Sequence, residues 1–489
     1  MESDGRIPSM RSVIREVWEV SQGKEVKVSE GDLETLRRGR EAYLKAVERE
    51  GVVYGFNTGL GKLATVKLPE EKLDSFQYST LRSHATSTGD PLPVPYVRAA
   101  MFLRVKHLLK GISGVRPEPV LRMVDFLNLG ITPKVPERGS VGASGDLSPN
   151  AHVALTLVGE GWVFLRDGRE VPSIVAHRMY GIEPISLVPR EALALINGFT
   201  FSLAILTLNV RRLEKLLSLY HEVFPMVWWA VRGRKSPFNP DAVAPMGDRF
   251  AYESARKVWK YIEGLPDGER VQDPYSIRAY PQVMGAALRV SDWAQRTVSD
   301  LINGVSDNPV LVGDRVLSTG NFHGQTVAML SDTLSSTVAT IIGFADRRMH
   351  FVLSRESGLP EMLSREPGTD SGLMMLQVAV SSIFADAKVL ATPYAYQSSP
   401  TSAGQEDWVP MSFSSALRFG RLVDLLAETL SAELLVAYRA LDMVGDVPEA
   451  VRHHYDALKD RMPQYRNNLH LSEEWEIARK YILEKVGKV

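Results

Sequence analysis

Three runs of apolar residues recur at three- and four-residue steps over stretches much longer than a usual globular helix. The clearest is Leu417–Val444 (LRFGRLVDLLAETLSAELLVAYRALDMV), which contains no proline and no glycine beyond Gly420. Phe201–Phe224 and Leu330–Leu353 follow the same pattern. Such stripes find partners only in one another, so they predict a mainly α fold built as a bundle of long antiparallel helices. Strand-like pieces are short: Trp162–Leu165 and Glu170–Val171 flank Arg166–Asp167–Gly168, a hairpin turn. No strand–helix alternation occurs, which argues against a doubly wound sheet. Glycine- and proline-rich stretches fall at 54–62, 135–149, 318–325 and 389–410. The expectation is a loop-rich N-terminal domain with short strands over 1–200 and a long-helix bundle over 201–489. The uncharged 389–405 stretch, with Tyr394 and Tyr396, reads as an ordered binding loop.

Composition narrows the function classes. The 489 residues hold 57 Lys+Arg against 58 Asp+Glu, a net charge of −1, with no basic run to suit nucleic acid or an anionic membrane. Without cysteine there is no disulfide, no thiol nucleophile and no Cys-ligated zinc. The ten histidines show no HxH or HExxH spacing, so no metal site is expected. Ala192 to Val210 is uncharged and long enough for a bilayer, but Asn197, Gly198, Thr200, Ser202, Thr207 and Asn209 interrupt it. It reads better as one helix buried in a soluble core. The opening MESDGRIPSMRSVIREV has no apolar stretch after a basic leader, so no secretory signal and a cytoplasmic location are expected.

The most informative segment is Gly139-Ser-Val-Gly-Ala-Ser-Gly-Asp-Leu-Ser-Pro149. Its bland reading is a turn with Asp146 or Ser148 capping a helix. A phosphate loop lacks the GxxxxGK[ST] spacing, and a GxSxG elbow fails because position 146 is Asp. A fourth reading is chemical. The Gly145 amide nitrogen can attack the Ala143 carbonyl carbon, since only a residue without a side chain permits that approach. Loss of two waters, one from the Ser144 side chain, leaves an electrophilic ring built from backbone, with Asp146 placed to shuttle protons.

With GSVGASGDLSPNAH in view, the sequence resembles the aromatic amino acid ammonia-lyases and aminomutases, which carry a methylidene-imidazolone (MIO) group made from Ala-Ser-Gly. Further motifs follow in family order from Tyr54 to Asp407. The resemblance implies MIO from Ala143, Ser144 and Gly145 with no external cofactor. It makes Tyr54, in YGFNTGLG, the catalytic base, with Leu60 where the family has Phe. A phenol ionises near pH 10, so cationic charge or hydrogen bonds must favour the phenolate. Ser83 and His84 stand at the ring-selectivity pair, in the form the histidine lyases carry; phenylalanine lyases tend to have Phe-Leu and tyrosine lyases His-Leu. Asn197 would orient the MIO carbonyl and the substrate.

Gln272-Asp-Pro-Tyr-Ser-Ile-Arg278 is similar to the family's QDxYSxR block. It makes Arg278 the clamp on the substrate carboxylate, Tyr275 a hydrogen-bonding group near the electrophile, and Gln272 a substrate-placing residue. Phe322 would pack on the MIO ring and substrate, with His323 structural. Glu406, in Gln405-Glu-Asp407, matches the histidine lyases and favours an imidazole or amino partner. Trp408, Pro410, Thr392–Ser398 and Ala279–Tyr280 depart from the histidine-lyase pattern, and the added aromatics bear on pocket shape.

The resemblance thus implies a carbon–nitrogen lyase that takes ammonia from an L-aromatic amino acid, L-histidine to urocanate first, with a small-molecule substrate as its ligand. It further implies a homotetramer with active sites shared between chains. A tyrosine or phenylalanine lyase or aminomutase is the alternative, and an inactive helical scaffold is the reading from another class.

Overall fold

The computed structural model describes residues 10–462 and 470–489. The reading of the N-terminal leader falls largely on residues 1–9, outside the described residues.

All three long periodic runs are helical, and each differs at its ends from the sequence expectation. Ser412–Val444 begins before Leu417, because the turn at Met411 (φ 57°) starts the helix, ahead of the apolar stripe. Gln325–Val352 likewise starts ahead of Leu330. Thr200–Ala230 runs straight through Pro225. Proline inside a helix costs about 3 kcal/mol. Continuing the helix buries Val227, Trp228 and Trp229. Three such side chains at about 1.5–3 kcal/mol each outweigh that cost.

Ser412–Val444 packs along both Thr200–Ala230 and Gln325–Val352. Tyr280–Asn303 and Arg249–Ile262 pair with each other, and Val94–Leu108 from the N-terminal half lies on Thr200–Ala230. One buried apolar cluster draws on residues from Val13 to Val486 and so crosses residue 200. Among the described residues, Gln325–Val352 is the one helix apolar and long enough to cross a membrane, and 56% of its most apolar window is buried in the bundle.

The hairpin forms as expected: Trp162–Phe164 pairs antiparallel with Glu170–Pro172, and Thr132–Pro133 adds a third strand. Thr88–Pro91 pairs with Pro136–Arg138. These strands are clips that hold loops.

One expectation is corrected. Ala192–Val210 is not a single helix: Glu191–Ile196 ends at Asn197, and a new helix starts at Thr200. The break is tertiary in origin. Gly198 (φ 124°) pairs with Gly145 in a parallel bridge, and a Cβ on Gly198 would sit 2.3 Å from the Ser306 carbonyl oxygen. A helical backbone at 197–199 could not make this contact.

Candidate active site

Three remote segments, at Gly198, Gly324 and 401–411, meet around Ala143–Gly145. The Asp146 N–H donates to the Gly198 carbonyl (2.9 Å) and the Gly198 N–H to the Ser144 carbonyl (3.3 Å). Gly324 N–H reaches the Gly142 carbonyl (3.0 Å), and Met411 N–H reaches that of Val141 (2.8 Å). Gly145 has φ 73°, and a Cβ there would lie 2.1 Å from the Gly198 carbonyl carbon. Only glycine fits at this position. The Ser144 hydroxyl donates to Glu406 Oε1 (2.7 Å), whose other oxygen is held by the Thr401 hydroxyl.

Asp146 stands at the N-cap position of the Leu147–Leu157 helix, yet its side chain makes no cap. Instead the carboxylate is fully buried behind the loop. One oxygen accepts from the Ser140 and Ser202 hydroxyls (2.7 and 2.8 Å), the other from the Ser202 N–H (2.8 Å). Burial pushes this carboxyl up to about 6, and the three hydrogen bonds pull against that rise. A carboxyl of that kind gives and takes protons near neutrality.

Two adjoining cavities of about 480 and 740 Å³ open on the loop and share Tyr54, Gly61, Ser144, Asn197 and Glu406. The smaller is completed by Asn308, Phe322, His323, Gln405, Asp407 and Trp408. The larger is mostly apolar, with Leu60, Phe76, Leu147 and Leu193 around Ser83 and His84. Tyr54 projects from a tied turn: Asn57 bonds back to Val53 N–H and to the Gly51 carbonyl, and Thr58 bridges Lys67. The Gly61 N–H donates to the Tyr54 phenol oxygen (3.2 Å).

His84 Nδ1 lies 2.7 Å from the Thr80 carbonyl. A carbonyl only accepts, so the proton sits on Nδ1 and the neutral ring keeps Nε2 as an acceptor. Asn197 is buried, and its Oδ1 has no hydrogen-bond partner among the described residues.

The chain therefore gathers Tyr54, Ser83, His84, Ala143, Ser144, Asn197, Phe322 and Glu406 on the walls of two joined cavities. Gly145 and Asp146 lie behind them. It does not gather Gln272, Tyr275 or Arg278, none of which lines either cavity. Tyr275 and Arg278 sit on a one-turn helix, Tyr275–Arg278, with Gln272 in the loop before it; Tyr275 is 71% exposed and the Arg278 guanidinium lies 4.8 Å over its ring.

The departures also separate. Trp408 lines the smaller cavity, where its indole N–H donates to Gln325 (2.9 Å) and its carbonyl meets His323 Nε2 (3.2 Å). Tyr394 lies instead under Arg418 (3.9 Å), and Tyr280 is wholly buried in the bundle. Of these aromatics only Trp408 reshapes the site. Sequence reasoning missed Ser140 and Ser202, the partners of Asp146, and Phe76, Leu147 and Leu193, which converge from three helices; no local pattern flags any of them.

Three comparisons bear on this constellation. The sequence profile described as Aromatic amino acid lyase matches residues 13–460. The histidine ammonia-lyase of Geobacillus thermodenitrificans is 39% identical over 421 residues, covering 84% of this chain and 83% of its own. Among solved structures, tyrosine aminomutase from Streptomyces globisporus superposes with a TM-score of 0.90 at 29% identity, over 97% of this chain and 95% of its own. Histidine ammonia-lyase from Trypanosoma cruzi superposes with a TM-score of 0.89 at 28% identity, over 98% and 93%.

Proposed function

The chain belongs to the aromatic amino acid lyase family, and from that premise we propose that its physiological reaction is the elimination of ammonia from L-histidine to give urocanate. It is a carbon–nitrogen lyase acting on an aromatic amino acid. The single observation that carries histidine is His84, whose proton-bearing Nδ1 is fixed by the Thr80 carbonyl. Nε2 is left to accept from a ring N–H. A site built for that bond is left unpaired by a benzene ring, and such mismatches discriminate strongly. Glu406, facing the same cavities, supplies a carboxylate for an imidazole or amino group.

The MIO group is part of this reading. The residues fit it: Gly145 must lack a side chain, Ser144 is turned to a carboxylate, and the buried Asn197 Oδ1 is without a partner on the same wall. Ala143, Ser144 and Gly145 would form the ring, held by Asn197 and packed by Phe322. Such a group supplies an electrophilic carbon that makes the substrate nitrogen a competent leaving group. Asp146 holds a transferable proton behind the loop. Tyr54 takes the β-proton onto an oxygen already receiving the Gly61 N–H. The Leu60, Phe76, Leu147 and Leu193 side chains keep water from the ring pocket.

Arg278 clamps the substrate carboxylate, with Tyr275 beside it and Gln272 helping to place the substrate. Since none of the three reaches the cavities of its own chain, the reading makes them serve the site of an adjoining subunit in a homotetramer. Exposed apolar residues support such assembly: Met375 (62%), Val378 (49%) and Val389 (71%) lie on or beside one helix, Met374–Leu390. Functionally, residues 1–200 carry the electrophile and base, while the helical 201–489 part presents the clamp. The same reading places the enzyme in the cytoplasm, away from nucleic acid and membranes.

Incubating the purified protein with histidine, tyrosine and phenylalanine tests the substrate; urocanate from histidine is expected, and coumarate or cinnamate in its place would overturn it. A β-amino acid product would favour the aminomutase alternative, which the structural neighbour from Streptomyces globisporus makes worth the assay. Intact mass two waters below that of the sequence is expected for a matured loop and is not required of an inert scaffold. Mixing inactive Ser144→Ala and Arg278→Met subunits should restore activity if sites are shared.

A further inference from the structure

The Tyr275–Arg278 turn ends where Pro281, the second residue of the Tyr280–Asn303 helix, offers no N–H. Its inner face is fastened by buried groups. Asp273 accepts from the Arg234 N–H (2.6 Å) and from Arg270 (3.3 Å). The Ser276 carbonyl accepts from Arg348 Nη1 (3.3 Å). Arg348 is fully buried in the Gln325–Val352 helix, and its Nε and Nη2 donate to the two oxygens of Glu433 on Ser412–Val444. The rings of Phe224, Tyr280 and Phe344 surround the guanidinium at 5.4, 5.4 and 5.1 Å. A fork bound at both arms and hemmed by three rings has one orientation. Arg278 sits two residues from the carbonyl that this fork holds.

We infer that Arg348, locked by Glu433, is a positioning residue that fixes the turn presenting Arg278, and through it sets affinity for the substrate carboxylate. The inference rests on Arg278 being the carboxylate clamp. Arg278 is half-buried on a single turn held through its buried Ser276 and Ile277, so what fastens that inner face sets its place, and a displacement of about 1 Å in a binding group can cost on the order of 100-fold. Lysine at 348 would keep the buried charge paired with Glu433, but an ammonium cannot hold the carboxylate in a fork and reach the Ser276 carbonyl as well.

The test uses the full-length assembled enzyme with its best amino acid substrate, and as inhibitor the same compound without its carboxylate (histamine, for histidine). Arg348→Lys is expected to raise KM about 10-fold or more, with kcat within about 3-fold and the amine's inhibition constant unchanged. Arg278→Met, which removes the clamp itself, should raise KM further and abolish most of kcat, with the amine's inhibition constant again unchanged. Should Arg348→Lys fail to assemble, Glu433→Gln releases the same lock and takes its place. An unchanged KM in a well-folded variant overturns the inference, as does equal weakening of the amino acid and the amine, which a merely structural role would produce. If Arg278→Met leaves KM unchanged, the clamp reading itself is what fails, and the inference falls with it.

Discussion

Replacing Gly145 with alanine isolates the contact on which the loop depends. Alanine at φ 73° costs about 1–2 kcal/mol in backbone strain alone. The new methyl would lie 2.1, 2.4 and 2.4 Å from the carbonyl carbon, Cα and nitrogen of Gly198, all backbone atoms that no rotamer change can move aside. Relieving that overlap adds about 1–3 kcal/mol. It also parts the Asp146 N–H···Gly198 and Gly198 N–H···Ser144 bonds, each contributing roughly 0.5–1.5 kcal/mol. The variant should therefore lose about 3 kcal/mol or more of unfolding free energy. It should also retain the full sequence mass, because the nitrogen that must attack Ala143 is no longer held beside it. Ser144→Ala is the control. It removes one half-buried hydroxyl whose partner Glu406 is still held by Thr401, so stability should barely change while the loss of two waters disappears. Denaturant unfolding and intact-protein mass spectrometry read both effects. A Gly145→Ala protein as stable as the parent and lighter by two waters would refute the packing argument and the ring chemistry together.

Asp146, held at about 6 against an ordinary 3.8, favours the folded state in its protonated form. Its stabilisation of about 3 kcal/mol is present in full only below the unfolded value of 3.8 and is lost as pH rises through 6, so the unfolding free energy at pH 4 minus that at pH 7 should be lower by about 2–3 kcal/mol in Asp146→Asn than in the parent. Tyr54→Phe should lower kcat by about 10²- to 10⁴-fold while leaving the two-water mass difference intact, because among the described residues the phenol's one hydrogen bond is from the Gly61 N–H. His84→Leu should shift the histidine-to-phenylalanine ratio of kcat/KM by about 100-fold or more toward phenylalanine; an unchanged ratio would remove His84 from ring selection.

The helical class was legible along the chain, because a stripe at helical spacing is a property of consecutive residues, and Leu417–Val444 displays it without interruption. The sequence also exposed the reactive tripeptide, since ring closure needs three neighbours in one order. Neighbouring residues could not tell that Asn197 and Gly198 would split an apolar run: that break exists because a distant glycine approaches within bonding range. Nor could they distinguish Trp408, on the cavity wall, from Tyr280, sunk among the long helices. The environment of Asp146 came from Ser140 and Ser202, one near and one far along the chain. Periodicity and covalent chemistry are local and survive in a one-dimensional string. Burial, electrostatic environment and the company a side chain keeps arise only when remote segments are packed together.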